Sequence, residues 1–215
     1  MYSAILLMAG KGTRMNRQEN KVLLPLGNKK IYEYSLNVFL KTVDEIICVI
    51  NEDDKDIITS LPKNVKWTFG GKTRQESVLN GIKLATNDFV LIHDAARPFI
   101  TESLINDIKN KLTNNNCVLT CQKCKDTLKL VDGDVVSTLN RDRIVRAATP
   151  QAINRKLLLE SYSKIQNEEF TDDVQIIEKY HPEIKTELIY ASDDLFKITT
   201  NTDYKLAEIL WRNYD

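Results

Sequence analysis

Lys11, Arg14, Arg17 and Lys21 gather around a Gly10-x-Gly12 turn that follows the short apolar run Ala4-Ile5-Leu6-Leu7-Met8. Glycines without a Cβ let backbone N–H groups close on an anion, and cations beside them neutralise it. Chemistry that needs both parts is the binding of a polyphosphate, such as the triphosphate of a nucleotide. Two familiar phosphate loops do not fit. A dinucleotide fingerprint needs a third glycine where Met15 stands, and a P-loop needs Gly-Lys-Ser/Thr after four spacer residues. An ordinary strand-to-helix turn on a solvated basic surface is the other reading of Gly-x-Gly.

A second polar cluster, His93-Asp94-Ala95-Ala96-Arg97-Pro98, follows the apolar run Phe89-Val90-Leu91-Ile92. Asp94 can hold a magnesium ion or a substrate hydroxyl there, and Arg97 can hold nearby charge. The alternative is a buried Asp94–Arg97 pair that stiffens the turn before Pro98. A third cluster is Gly70-Gly71-Lys72-Thr73-Arg74-Gln75-Glu76-Ser77. Its glycines permit close approach to a flat base, and the Ser77 hydroxyl can read one. It reads equally well as a loop with the capping box Thr73-x-x-Glu76.

Four cysteines are present, and Cys117-x3-Cys121-x2-Cys124 has the spacing of a radical iron–sulfur motif. Such ligands must wrap a loop around a cluster, whereas Cys117 to Cys121 reads as a strand that sends Cys117 and Cys121 one way and Cys124 the other. Buried, reduced thiols are the expectation.

These clusters need a scaffold that brings them together. Ala4–Met8, Ile46–Ile50 and Phe89–Ile92 read as buried strands, with helices expected over Ile31–Leu40, Thr73–Ala85 and Glu102–Leu112. Strands separated by helical crossovers imply an α/β fold, a mostly parallel sheet flanked by helices, whose ligands sit at the carboxyl ends of the strands. After Lys125 the alternation breaks. Asp126–Val131, a turn at Asp132-Gly133 and Asp134–Leu139 predict a β-hairpin arm over about residues 125–142. A lone hairpin is marginal in water, so a partner subunit is its expected packing surface. The chain then returns through Arg146 and Thr149-Pro150-Gln151 to further helices, and closes with Leu195–Ile198 and a C-terminal helix through Leu206, Ile209 and Leu210.

The 215 residues suit one domain, and 30 basic against 30 acidic residues argue against nucleic acid or membrane binding by bulk charge. With no cleavable leader read and no apolar run near the ~20 residues of a membrane span, a cytoplasmic protein is expected.

The motifs Leu7-Met8-Ala9-Gly10-Lys11-Gly12-Thr13-Arg14-Met15, Lys21, Gly70-Gly71-x-x-Arg74-x-x-Ser77, His93–Pro98, Asp126-Thr127, Thr149-Pro150-Gln151, Thr171-Asp172-Asp173 and Lys197-Ile198-Thr199 occur in that order. Along essentially its whole length the chain thereby resembles the 2-C-methyl-D-erythritol 4-phosphate cytidylyltransferase family. Met8 stands where the family usually has Ala, and Leu195 where Asn is common. Ala96 and Thr171-Asp172-Asp173 favour this family over the related ribitol 5-phosphate cytidylyltransferases, which would carry Val and Ser-Asp-Ala. A UDP-sugar pyrophosphorylase and a non-catalytic nucleotide-binding module are the remaining alternatives.

The resemblance implies a Rossmann-like sheet and a homodimer in which the hairpin arm carries Thr127 and Arg141 into the partner's site. It implies CTP and a polyol phosphate as substrates, with magnesium bridging the triphosphate and Asp94 as a candidate ligand. Arg14 and Lys21 would stabilise the transition state, and Arg141 and Lys197 would position the attacking phosphate beside Thr127 and Thr171. Met8, Ala9, Gly10, Gly12, Gly71, Ser77, Asp94 and Arg97 complete the implied substrate contacts. A phosphate monoester, with a second pKa near ~6, is already a nucleophile at neutral pH and needs no general base.

Overall fold

The computed structural model describes residues 1–10 and 19–212, so Lys11, Gly12, Arg14 and Arg17 lie outside the described residues. Its scaffold follows from apolar runs buried on both faces. In the strand Glu45–Ile50, Ile46, Cys48 and Ile50 face one hydrophobic layer, while Ile47 and Val49 face the other. That two-sided burial is what helices on both faces of a parallel sheet demand.

The elements run β1 (Tyr2–Leu7), β2 (Pro25–Leu26), β3 (Lys29–Lys30), α1 (Ile31–Thr42), β4 (Glu45–Ile50), β5 (Lys66–Phe69), α2 (Arg74–Leu84), β6 (Phe89–Asp94) and α3 (Glu102–Leu112). There follow β7 (Cys117–Lys123), β8 (Lys129–Asp132), β9 (Val135–Thr138), β10 (Val145–Asn154), α4 (Arg155–Lys164), α5 (Asp173–Tyr180), β11 (Thr186–Tyr190) and α6 (Asn201–Trp211). The main sheet has seven strands in the order β11-β7-β10-β6-β1-β4-β5. All neighbours are parallel except β10, which runs antiparallel to both β6 and β7. Among the described residues no helix is long and apolar enough to cross a membrane.

Several expectations are refined. The return segment through Thr149-Pro150-Gln151 is itself a ten-residue strand, β10, with a register shift between Ala147 and Gln151 and a cis Thr149–Pro150 bond. Proline is tolerated in a strand at such an irregularity because no ladder donor is required there. The hairpin turn lies one residue later than predicted, at Gly133-Asp134, since Asp132 pairs with Val135. Gly133 adopts φ 56°, which glycine supplies without a Cβ penalty. Thr73 caps α2 by accepting from the Glu76 N–H at 3.1 Å, but Glu76 returns its bond to the Lys72 N–H at 2.6 Å rather than closing the box. Leu206 and Ile209 lie on the exposed side of α6, whose buried residue is Ala207.

Cys117 and Cys121 join the layer under α4 and α5, as their alternation along β7 requires. Burial pushes the Cys117 thiol up to about 11 and the Cys48 thiol to about 12, so neither is a thiolate at neutral pH. Replacing Cys117, Cys121 and Cys124 by Ala should leave turnover within a few-fold, with any loss appearing as a lower Tm. Iron, labile sulfide or stoichiometric zinc in the purified protein would overturn that expectation.

Candidate active site

The carboxyl ends of β1 and β6 open into a cavity of about 350 Å³. At the end of β1, Met8 continues the ladder by donating its N–H to Val49 O at 2.8 Å. Ala9 and Gly10 then line the cavity, and among the described residues a Cβ on Gly10 would meet nothing within 4 Å. Asn20, which sequence reasoning missed, supports this end of the cavity. Its Nδ2 donates to Met8 O and to Asp54 Oδ2, both at 2.7 Å. Its Oδ1 accepts from the Val22 N–H at 3.3 Å and caps the short helical turn Lys21–Leu23. An Asn directly before an apolar run is an N-cap signal that could have found it. The staple places Lys21, itself buried, on the cavity wall.

Opposite stands Asp94, the last residue of β6. Lys197 Nζ lies 2.8 Å from its Oδ2, and Arg97 Nε lies 3.9 Å away. Burial pushes the Asp94 carboxyl up, but Lys197 first, then Arg74 and Arg97, outweigh it and hold it well below the usual carboxylate range. Arg97 Nη1 donates to Leu195 O at 2.8 Å, while its buried Nε has no hydrogen-bond partner among the described residues. Because Leu195 acts through its backbone carbonyl and its side chain is buried, Leu in place of Asn leaves this contact intact.

His93 is a brace. Its ring is fully buried, with Nε2 3.1 Å from Arg97 O and Nδ1 3.1 Å from Thr149 Oγ1. The Asp94 N–H donates to the same Thr149 oxygen at 3.1 Å. The consistent assignment has Nε2–H donating to the carbonyl and Thr149 donating to Nδ1. Burial pulls the His93 pKa down to about 4, so it is neutral at pH 7.

The third wall is the loop before α2. Gly71 N–H donates to Ser77 Oγ at 3.0 Å, and Ser77 Oγ donates to Thr73 O at 2.9 Å. A Cβ on Gly70 would fall 2.5 Å from the Ala9 Cβ, so only glycine lets this loop close on the end of β1. Lys72, Thr73, Arg74 and Thr199 also line the cavity, and none was singled out as a contact from sequence.

Of the expected site residues, the cavity brings together Ala9, Gly10, Lys21, Gly71, Ser77, Asp94 and Lys197. Arg97 backs Asp94 from behind the wall. Met8 does not line it: its side chain is in the core, and both its backbone groups are bonded to Val49 and Asn20. Thr127, Arg141 and Thr171 are exposed and stand off the wall. Arg141 Nη1 donates to Lys125 O at 2.6 Å, and the Thr171 N–H and hydroxyl both donate to Gln175 Oε1, at 2.9 and 3.1 Å.

A sequence model of the family described as 2-C-methyl-D-erythritol 4-phosphate cytidylyltransferase matches residues 2–213. A protein of that name from Caldicellulosiruptor bescii is 38% identical over 216 residues, covering 96% of each chain. One from Clostridioides difficile is 35% identical, covering 97% of this chain and 92% of its own. The crystal structure of 4-diphosphocytidyl-2C-methyl-D-erythritol synthase from Anaerococcus prevotii superposes with a TM-score of 0.88 at 34% identity, covering 98% of both chains.

Proposed function

The chain belongs to the 2-C-methyl-D-erythritol 4-phosphate cytidylyltransferase family, and we propose how its residues divide the work of that reaction. The enzyme transfers CMP from CTP to 2-C-methyl-D-erythritol 4-phosphate, releasing pyrophosphate and forming 4-diphosphocytidyl-2-C-methyl-D-erythritol. The comparisons support this reading and not the ribitol, UDP-sugar or non-catalytic alternatives.

The observation that carries the division of work is the placing of Lys21 and Lys197 in one cavity with Asp94, while His93 is neutral and committed to bracing. The acceptor phosphate supplies its own nucleophilic oxygen, so catalysis is positioning plus neutralisation of charge. Lys21, with Arg14, neutralises the charge growing on the α-phosphate and the leaving pyrophosphate. Lys197, with Arg141, Thr127 and Thr171, holds the attacking phosphate in line. Ala9, Gly10 and Gly12 take the triphosphate backbone.

Asp94 is the acidic side chain among the described residues lining the cavity, and no group of three or more His, Cys, Asp or Glu converges anywhere in them. That donor set fits magnesium held chiefly by phosphate oxygens and water, with Asp94 in one position. The ion would supply charge neutralisation across the triphosphate.

The Ser77 hydroxyl spends its proton on Thr73 and one lone pair on Gly71, leaving an acceptor for the amino group of cytosine. Uracil would present an oxygen at the same place. Ser77→Ala should therefore weaken CTP affinity more than it slows the bound complex, and unchanged calorimetric affinity would assign base reading elsewhere.

We place Thr127 and Arg141 in the partner's cavity. The support is the arm itself, where Val131, Val135 and Val136 are 66%, 67% and 62% exposed, an apolar ribbon that a second copy would cover. Buried unpaired thiols fit a reducing compartment, so a cytoplasmic location belongs to the proposal. The direct test is pyrophosphate release with CTP or UTP against methylerythritol phosphate, ribitol phosphate and a sugar 1-phosphate. Release with CTP and methylerythritol phosphate is expected, and release confined to another pair would overturn the reading.

A further inference from the structure

Side chains from the first turn of α2 tie the cavity loop to an irregular segment, residues 168–172, that leads into α5. Arg74, the first residue of α2, donates from Nη1 to Asp173 Oδ1 at 3.2 Å and from Nη2 to Oδ2 at 2.6 Å, joining positions 99 apart in sequence. Gln75 adds two bonds: its Nε2 donates to Glu168 O at 3.4 Å, and its Oε1 accepts from the Phe170 N–H at 3.2 Å. The two side chains therefore grip both ends of the stretch that carries Thr171. Asp173 is fully buried, and Tyr162 brings its hydroxyl within 3.5 Å of Oδ1. Gln151 Oε1 accepts from the Asp173 and Val174 N–H groups at 2.8 and 3.2 Å, which seats the start of α5 on β10.

A buried ion pair is a poor device for stability alone, because desolvation offsets much of the attraction. A fork-on-fork guanidinium–carboxylate pair does define distance and plane together. Residues 168–172 belong to no helix or strand, so these bonds set their place relative to the cavity. The turn that holds Arg74 is itself bound to the cavity loop through Ser77, Gly71 and Thr73.

We propose that Arg74 and Asp173 are a positioning pair that registers the Thr171 segment against the nucleotide loop, so that a base seated on Gly71 and Ser77 raises the affinity for the polyol phosphate. This deepens the reading of Thr171 as an acceptor contact and rests on it. Ordering of the loop by the nucleotide passes through the first turn of α2 and the Arg74 fork to Asp173. By linkage the polyol phosphate strengthens nucleotide binding by the same factor.

The test uses Arg74→Lys, which keeps the charge but cannot form the fork, and Asp173→Asn, which keeps the volume but loses the charge. Each should raise the KM for methylerythritol phosphate about tenfold or more while the Kd of CTP alone stays within about threefold, the size of an ordinary coupling between sites. Hydrogen exchange supplies a readout that does not involve the acceptor. In the wild type, CTP should protect amides in both 70–77 and 168–173, whereas in Arg74→Lys it should protect only the first group. Wild-type protection at 70–77 without any at 168–173, or equal rises in both substrates' constants, would overturn the coupling. No protection at 70–77 with CTP would instead overturn the nucleotide-site reading. If Asp173→Asn fails to fold, Arg74→Lys decides, since its side chain is 31% exposed and the positive charge remains.

Discussion

Lys21→Ala is expected to lower turnover by on the order of 10² to 10³, the usual cost of removing one preorganised charge stabiliser. Lys21 is buried on the cavity wall, where the Asn20 bonds to Met8, Asp54 and Val22 fix the backbone that carries it. Preorganisation matters because the ammonium group need not be moved into place as charge develops on the α-phosphate. The loss should fall mainly on kcat, since a group that meets the transition state more strongly than the ground state has little effect on substrate binding. Arg14→Ala should behave alike, by its place in the same motif. Steady-state kinetics on variants with unchanged circular dichroism would check both. Near-normal turnover in folded Lys21→Ala would mean that the triphosphate lies elsewhere.

Mixing Arg141→Ala with Lys21→Ala should restore activity that neither variant has alone. Lys21 and Lys197 belong to the cavity of their own chain, whereas Arg141 follows the exposed arm and stands off that cavity. If the arm crosses a two-fold axis, each site draws Arg141 from one chain and Lys21 from the other. A heterodimer of the two variants then has one site with both lesions and one with neither. Subunit exchange should recover up to about half of wild-type activity per heterodimer, by that symmetry. No recovery, with exchange shown by mass spectrometry, would put Arg141 to work within its own subunit.

The elements that define the scaffold were legible because their signals are local. The helix expected over Glu102–Leu112 is α3 with the same limits, and the structure shows local features behind it: Thr101 accepts from the Leu104 N–H, and Ile105, Ile108 and Leu112 form its buried face. The apolar runs of β1, β4 and β6, each too short for a helix and rich in branched residues, read directly as buried strands. The polar clusters after β1 and β6 could be assigned to one place because a parallel sheet collects its strand ends on one side. The strand β10 was not legible. Pro150 argues against a strand locally, and only the bulge and two neighbouring strands satisfy the backbone around it. Leu188 and Tyr190 alternate with buried Ile189 in β11, yet its place at the sheet edge depends on β7, far earlier in the chain.

Within the site, residue types and order by themselves determined the chemistry: a glycine turn with cations, a carboxylate at a strand end, and a glycine-serine loop. Tertiary structure alone decided which groups are available to do it. Met8 was expected at the substrate, and its backbone is consumed by Val49 and Asn20. His93 sits in the most distinctive motif, yet burial and its bonds to Thr149 and Arg97 make it a neutral brace. Arg74 forks onto Asp173, and Lys197 is held at the cavity beside Asp94, pairings between residues about a hundred positions apart in sequence. Propensity and periodicity act over a few residues and leave a mark in the local sequence. Burial, ion pairing and the sharing of a hydroxyl between donors depend on what the fold brings alongside, so no local pattern encodes them.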